Sequence, residues 1–468
     1  VDFKGLIDKS DFLFTGKLEH YEKWFDEHPG GDSKIEFNLV SNKLQLESFL
    51  SYKGENYVPE EYQHEELDNL KIHGFTYLHY EDELKSMDLT IDRFDAKMKV
   101  HPLRFENFNG QIHYEEDHLV IEDFHGILGK SQFETTLHYY LGEDESQKKR
   151  ENHFSIVASR LDLDQLIKYN PAPVLKKKPS TAVRTTKSIH DEVFNIYDLP
   201  FTDMTYHIDI KHLNYHRYLM HNIKGALRTT PKHYIYVDHV NMDAAGGHFD
   251  IDGYFNGSDP KMIYFSPTIK AKDIDLDKLL FKFENFGQDY IVAENLHGQF
   301  TGTISGKIHM HNDLTPKIDD SEIHMDLDVT HGRLENYAML QYMSEYFSDK
   351  NLNKVLFDTL NNHIDLVNGI MTIPTMSVNS SLGHLEISGK QDLEGNMEYY
   401  LRIPWKMVTK SAASKLFGKK KEEVSDDQTD EIQYGTEKTK YVNVKIVGNE
   451  DGYKFSIGKD KKNKKKKK

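Results

Sequence analysis

Cysteine is absent from the 468 residues, which removes disulfide frameworks, thiol nucleophiles and thiolate metal sites together. Tryptophan is scarce, with 2 residues against 27 Tyr and 26 Phe. The aromatic weight therefore lies in residue types that, with the many Ile, Val and Thr, favour pleated, half-buried surfaces. No stretch approaches the roughly 20 apolar residues that cross a bilayer as a helix. Positive charge is outweighed by negative, giving a net charge of -17, and the broad basic surface of a general nucleic-acid binder is missing. The cations are also unevenly placed. Lys459 to Lys468 carries +7, so the rest of the chain carries -24.

Catalytic signatures are missing as well. There is no Gly-x-Ser-x-Gly segment. Gly383 to Lys390 ends in Gly-Lys but has five residues between its glycines and Gln391 where a phosphate loop needs Ser or Thr. The 26 His invite a metal reading, yet His207, His212 and His216 lack any His-Glu-x-x-His or comparable spacing, and histidines on solvated strand faces account for them. Asp250-Ile-Asp-Gly253 has part of a calcium-loop pattern without its flanking ligands, and turn or strand-end chemistry explains it. The expectation is a protein that is not an enzyme, with no cofactor and no metal site.

What is present is repetition. SNKLQLESFL (Ser41–Leu50) returns as ASRLDLDQLI (Ala158–Ile167) and as AKDIDLDKLL (Ala271–Leu280). Matching Leu44, Leu161 and Ile274 gives steps of 117 and 113 residues, about the size of one all-β module and too long for a solenoid unit. Each copy follows an alternating strand pattern and reads as a short helix held by polar residues. A second recurrent pattern is Asn-x-x-Gly at Asn107, Asn222 and Asn295. It predicts the start of a strand, because Asn tolerates turn geometry and Gly admits positive φ or a bulge.

These patterns divide the chain into β module(s) over 1–169, a linker or loop over 170–190, a second β module over 191–290, a C-terminal β region over 291–457 and a tail over 458–468. The linker holds the three Pro and four Lys of Asn170 to Lys187. Within the C-terminal region, Tyr337 to Asn362 has apolar residues at helical spacing and predicts a helical pair. Residues 410–440 read as a charged insertion. Tyr441 to Val447 and Tyr453 to Ile457 flank Asn449-Glu-Asp-Gly452 as a hairpin.

Apolar residues alternate with polar ones along many strands, giving a sheet with one apolar and one wet face. The candidate residues of the apolar face are Leu119, Ile121, Phe133, Ile235, Val237, Phe249, Ile251, Ile323, Met325, Leu327, Leu385 and Ile387. Alternation fits two outcomes, an open trough that shields acyl chains or the core of a closed sandwich, and it does not choose between them. The poly-Lys tail fits either a solvated end or attraction to anionic headgroups.

The order His331-Gly-Arg-Leu-Glu-Asn-Tyr-Ala-Met-Leu340, a helical pair, Ile364-Asp-Leu-Val-Asn-Gly-Ile370 and Ser381-Leu-Gly-His-Leu-Glu-Ile-Ser-Gly389 resembles the C-terminal region of AsmA-type cell-envelope proteins, with the TamB proteins as more distant relatives. The likeness runs from about Asn295 to Ile457, and the upstream modules share it more loosely. It implies a long, curved, mainly β antiparallel sheet with an apolar groove. It also implies a periplasmic location in a Gram-negative envelope, an inner-membrane anchor upstream of Val1, and a role in outer-membrane homeostasis. The partner it implies is phospholipid, or another acyl-chain lipid, together with membrane contact. The Lys/Pro linker and the poly-Lys end depart from the family pattern. The competing expectation is a structural or assembly factor with a closed β core that binds protein partners by strand addition.

Overall fold

The computed structural model describes residues 2–25, 30–49, 51–52, 55–56, 65–81, 83–99, 103–166, 195–199, 201–215, 218–282, 294–337, 340–341, 343, 352–408, 431–435, 439–449 and 452–459. The Pro/Lys-rich stretch at 170–187, the poly-Lys end and most of the 410–440 insertion lie outside these residues. The protein is mainly β. Its contacts divide it into two units, residues 1–183 with 200–240 and residues 184–199 with 241–468.

The first unit carries β1 (Asp2–Ile7), β2 (Ser10–Glu19), β3 (Gly30–Gln45), α1 (Leu46–Phe49), the short pair β4 (Ser51–Tyr52) and β5 (Glu55–Asn56), then β6 (Glu66–Glu81), β7 (Glu83–Met98), β8 (Arg104–Glu115), β9 (His118–Leu128) and β10 (Ser131–Tyr140). α2 (Glu145–Glu151), β11 (His153–Asp162), α3 (Leu163–Leu166), β12 (Met204–Tyr215) and β13 (Tyr218–Thr230) follow, and the division between units falls inside β14 (Tyr234–Ala244). The ladders are antiparallel between chain neighbours, with one exception to the wholly antiparallel expectation. β11 and β12 run parallel, with Phe154 opposite Tyr206 and Ala158 opposite Ile210. A parallel pair needs a return connection of about a dozen residues or more, and the chain from Leu163 to Asp203 supplies it.

The second unit carries β15 (Gly247–Asn256), β16 (Tyr264–Asp275), α4 (Leu276–Lys282), β17 (Leu296–Met310), β18 (Pro316–Glu335), β19 (Lys354–Phe357), β20 (Leu360–Val367), β21 (Ile370–Ser380), β22 (Gly383–Asp392), β23 (Met397–Pro404), β24 (Tyr441–Asn449) and β25 (Gly452–Ile457). All its ladders are antiparallel, and β24 and β25 form the expected C-terminal hairpin. The expected helical pair at 337–362 is corrected in its second half. Val355, Leu356 and Leu360 lie on β19 and β20 and pair with β18. Phe357 sits opposite Gly332, and a Cβ at that glycine would lie 1.8 Å from the Phe357 ring. Room for a large ring over a glycine is a tertiary fact that overrides local spacing.

Each repeated phrase is a strand end followed by a short helix: β3 into α1, β11 into α3 and β16 into α4. The matched apolar residues Leu44, Leu161 and Ile274 are buried at 4%, 8% and 0% exposure, so they anchor the strand end by packing. The residue after each one donates its backbone N–H to an earlier hairpin. Gln45 donates to Ser10 Oγ at 2.9 Å, Asp162 to Ser131 Oγ at 2.9 Å and Asp275 to the Ala245 carbonyl at 2.8 Å. Sequence repetition thus corresponds to a repeated latch. The Asn-x-x-Gly pattern marks bulges more than strand starts. Asn107 and Asn222 lie inside β8 and β13 at φ of 54° and 51°, and the β8–β9 register shifts beside Asn107. Only Asn295 directly precedes its strand, donating from Nδ2 to the Glu335 carbonyl at 2.9 Å.

Packed cores are local. In the first unit Leu44, Leu67, Leu70, Ala96 and Met98 cluster where strand ends meet. In the second, Tyr337, Leu340 and Met343 pack on β22–β24 with Leu385, Leu401, Ile403, Val444 and Ile446. The first part of the expected helical element therefore acts as a cap over the last strands.

Candidate functional site

The first unit lays its apolar residues in a cross-strand row. Leu18, Ile35, Thr76, Leu89, Ile112, Ile121, Leu137, Phe154, Tyr206 and Leu227 are successive ladder partners from β2 through β13. Directly paired residues share one sheet face, so ten strands contribute to one apolar line. Nine of these side chains are half-buried, and only Thr76 is buried. A second sheet would remove an inward-facing row from solvent, so half-burial of the row means that no described layer seals this face. The opposite face alternates in polar residues, among them Lys34, Glu36, Asp88, His113, Glu122, His138, His153 and His207.

The sequence candidates take definite places on this frame. Ile121 is in the row, and Leu119, opposite Tyr114 and Tyr139, is two residues along the same face. Phe133 lies opposite Gly126 and joins an aromatic cluster in which its ring is 5.9 Å from that of Phe108, with Phe124 at 5.5 Å from Phe108. Ile235 and Val237 alternate with Tyr236 and Asp238, whose side chains meet Arg228 on the polar face. All five are half-buried.

In the second unit, Ile251, Ile269, Ile304, Met325 and Ile364 form a shorter row over β15, β16, β17, β18 and β20. Phe249, Ile323 and Leu327 lie two residues from members of this row on the same face, and Phe249 and Ile323 are buried. Leu385 and Ile387 differ in kind. Leu385 belongs to the capped cluster and Ile387 packs against it, so these two are core residues and are removed from the open face.

The polar face of β18 and β20 holds a grouping that the sequence reading missed. His324 is the ladder partner of Asp365, and Asp326 is that of His363. His324 Nδ1 is 2.6 Å from Asp365 Oδ1, and His363 Nε2 is 3.0 Å from the same oxygen. Each ring's other nitrogen meets an outer carboxylate, Glu322 at 3.2 Å from His324 and Asp326 at 2.7 Å from His363. The hydrogen bond that His324 donates to Asp365 holds its pKa above the ordinary value, and the one that His363 donates to Asp326 does the same for His363. The histidines weighed from the sequence behave otherwise. His212 and His221 meet through their Nδ1 atoms at 2.9 Å, His207 is exposed on β12, and His216 lies outside the described residues. Asp250 to Gly253 lie within β15, at neither a turn nor a strand end.

Among the described residues no helix is long and apolar enough to cross a membrane, which says nothing of crossings built from strands. Comparison with protein-family models, with curated proteins and with solved structures gives no match to this chain.

Proposed function

We propose that the protein is a non-catalytic lipid-binding protein of the cell envelope, and that its apolar sheet face shields the acyl chains of phospholipid. One observation carries this reading: the half-buried row running through ten successive strands of the first unit. At about 4.8 Å per strand that row covers on the order of 40 Å. One leaflet's acyl layer is about 15 Å, half of a hydrocarbon core near 30 Å, so the row has room for more than one lipid. Each methylene removed from water contributes roughly 0.8 kcal/mol. The likeness of residues 295–457 to AsmA-type proteins adds the envelope location and a role in moving phospholipid between membranes.

The test is lipid analysis of the full chain purified in mild detergent, followed by transfer between labelled and unlabelled phospholipid vesicles. Co-purifying phospholipid and crosslinking of a photoreactive fatty acid to Ile112 or Ile121 are expected. A lipid-free preparation that moves no labelled lipid would sink the proposal.

A second reading, an assembly factor that binds protein partners, is favoured by β1. Its described ladder is with β2 alone, and it exposes Phe3 at 56%, Leu6 at 73% and Ile7 at 41%. An apolar strand edge of this kind accepts a further strand. If Leu6→Lys abolishes function while lipid loading stays at the wild-type level, this reading replaces the first.

A further inference from the structure

We propose that His324, His363 and Asp365 bind a divalent transition-metal ion, zinc being the best fit to their ligand chemistry, as a staple between β18 and β20. One ligating atom of each of the three side chains lies within 4.8 Å of the others. Metal–ligand bonds of about 2.0–2.1 Å place neighbouring ligand atoms roughly 3.0–3.4 Å apart. Asp365 Oδ1 already lies 2.6 Å from His324 Nδ1 and 3.0 Å from His363 Nε2, so the carboxylate oxygen stands close to both ring nitrogens at once. Two imidazoles and one carboxylate form a borderline-soft set suited to zinc and its neighbours, and poorly suited to calcium or magnesium.

The outer contacts strengthen the assignment. A metal-bound imidazole normally donates its remaining N–H to a carboxylate, which fixes the tautomer and raises ligand basicity. Both rings are already arranged this way, His324 Nε2 towards Glu322 and His363 Nδ1 towards Asp326. The rings are held nearly parallel, 13° apart with centroids at 6.2 Å. The ladder partners on the flanking strands are small hydroxyl residues, Ser305 opposite His324 and Thr372 opposite Asp365. The side chains of His324, Asp365 and His363 are 39%, 34% and 46% exposed, so ions reach them and a fourth position is left to water. This staple lies on the face opposite Met325 and Ile364 and is independent of lipid binding.

The experiment is equilibrium dialysis and calorimetry of the untagged full chain with zinc chloride, repeated with cobalt chloride to read the visible d–d bands. One zinc per chain is expected to bind more tightly than any other, with four-coordinate cobalt bands appearing at the same stoichiometry. His363→Gln or Asp365→Asn should remove that equivalent, and Asp326→Asn should weaken it about 10–100-fold. His212→Gln, which breaks the His212–His221 pair on β12 and β13, should leave it unchanged. Equal binding by wild type and His363→Gln, or loss of the site in His212→Gln, overturns the proposal. Should a β20 variant fail to fold by circular dichroism, cobalt bands in the wild type that survive Asp326→Asn without weakening overturn it equally.

Discussion

The wholly buried hydroxyl of Ser131 accepts the backbone N–H of Asp162 at 2.9 Å, closing the end of β11 against the hairpin that begins β10. Ser10 makes the same bond with Gln45 at 2.9 Å. Asp162 then accepts the Gln165 N–H on Oδ1 at 3.0 Å, and Gln165 Oε1 accepts the Lys130 N–H at 2.7 Å. The latch thus ties a strand end, a helix start and a turn together. Ser131→Ala leaves a buried N–H without its acceptor, and such a loss costs roughly 1–3 kcal/mol. Denaturant titration should show a fall of that size for Ser131→Ala and a similar one for Ser10→Ala. Wild-type stability in both variants would mean that the strand ends are held by Leu44 and Leu161 alone.

The ion pair of His118 Nε2 with Glu151 Oε2, at 2.7 Å, gives a pH prediction. The hydrogen bond to Glu151 raises the His118 pKa, burial opposes the rise, and the carbonyl of Glu116 at 3.0 Å assists it. A raised folded-state pKa contributes stability that is fully present below the unfolded value near 6.5 and is lost as pH climbs through the folded value. Both side chains are about two-fifths exposed, so the contribution is a few tenths of a kcal/mol. The stability gap between wild type and His118→Gln should therefore be widest near pH 6 and shrink towards pH 8.5. A gap that widens with rising pH contradicts the assignment.

Gly126 provides a third prediction. Phe108, 2% exposed, lies across it, and a Cβ at this glycine would come within 2.5 Å of the Phe108 ring. Gly126→Ala should push the ring off its seat and destabilise by roughly 1–3 kcal/mol. In the double variant with Phe108→Ala the two losses should sum to less than their separate values, because the second change removes the clash made by the first. Strict additivity would show that ring and glycine are not coupled.

How much of this was legible in the sequence depended on whether the determining contact was local. Leu44, Leu161 and Ile274 announced a repeat because the latch recurs with the same short phrase. The alternation of Ile323, Met325 and Leu327 with His324 and Asp326 placed one face correctly, since period two is a property of the strand alone. Val355 and Leu356 were misplaced on a helix because their spacing fits either period, and only the open surface over Gly332 selects a strand. Leu385 and Ile387 read like the other face residues, although the distant Tyr337, Leu340 and Met343 cover their end of the sheet. The pairing of His324 with Asp365 was invisible because it depends on the register of β18 against β20, and no spacing within either segment encodes a register.

The contrast between the open row and the capped cluster yields the sharpest test of the functional proposal. Ile446 is 0% exposed within its cluster, so Ile446→Ala should cost about 2–5 kcal/mol. Ile121, half-buried in the open row, loses less packing, and Ile121→Ala should cost about 1 kcal/mol or less by the smaller apolar area involved. If acyl chains occupy the row, Ile121→Asp together with Leu137→Asp should leave the protein folded while phospholipid loading falls several-fold. The reason is that two carboxylates in the path must be desolvated or protonated for a lipid tail to pass. The measurements are thermal unfolding and mass spectrometry of extracted lipid on the same preparations. An Ile121→Ala loss as large as that of Ile446→Ala would mean that the row is a covered core, and the lipid path would then have no surface on which to run.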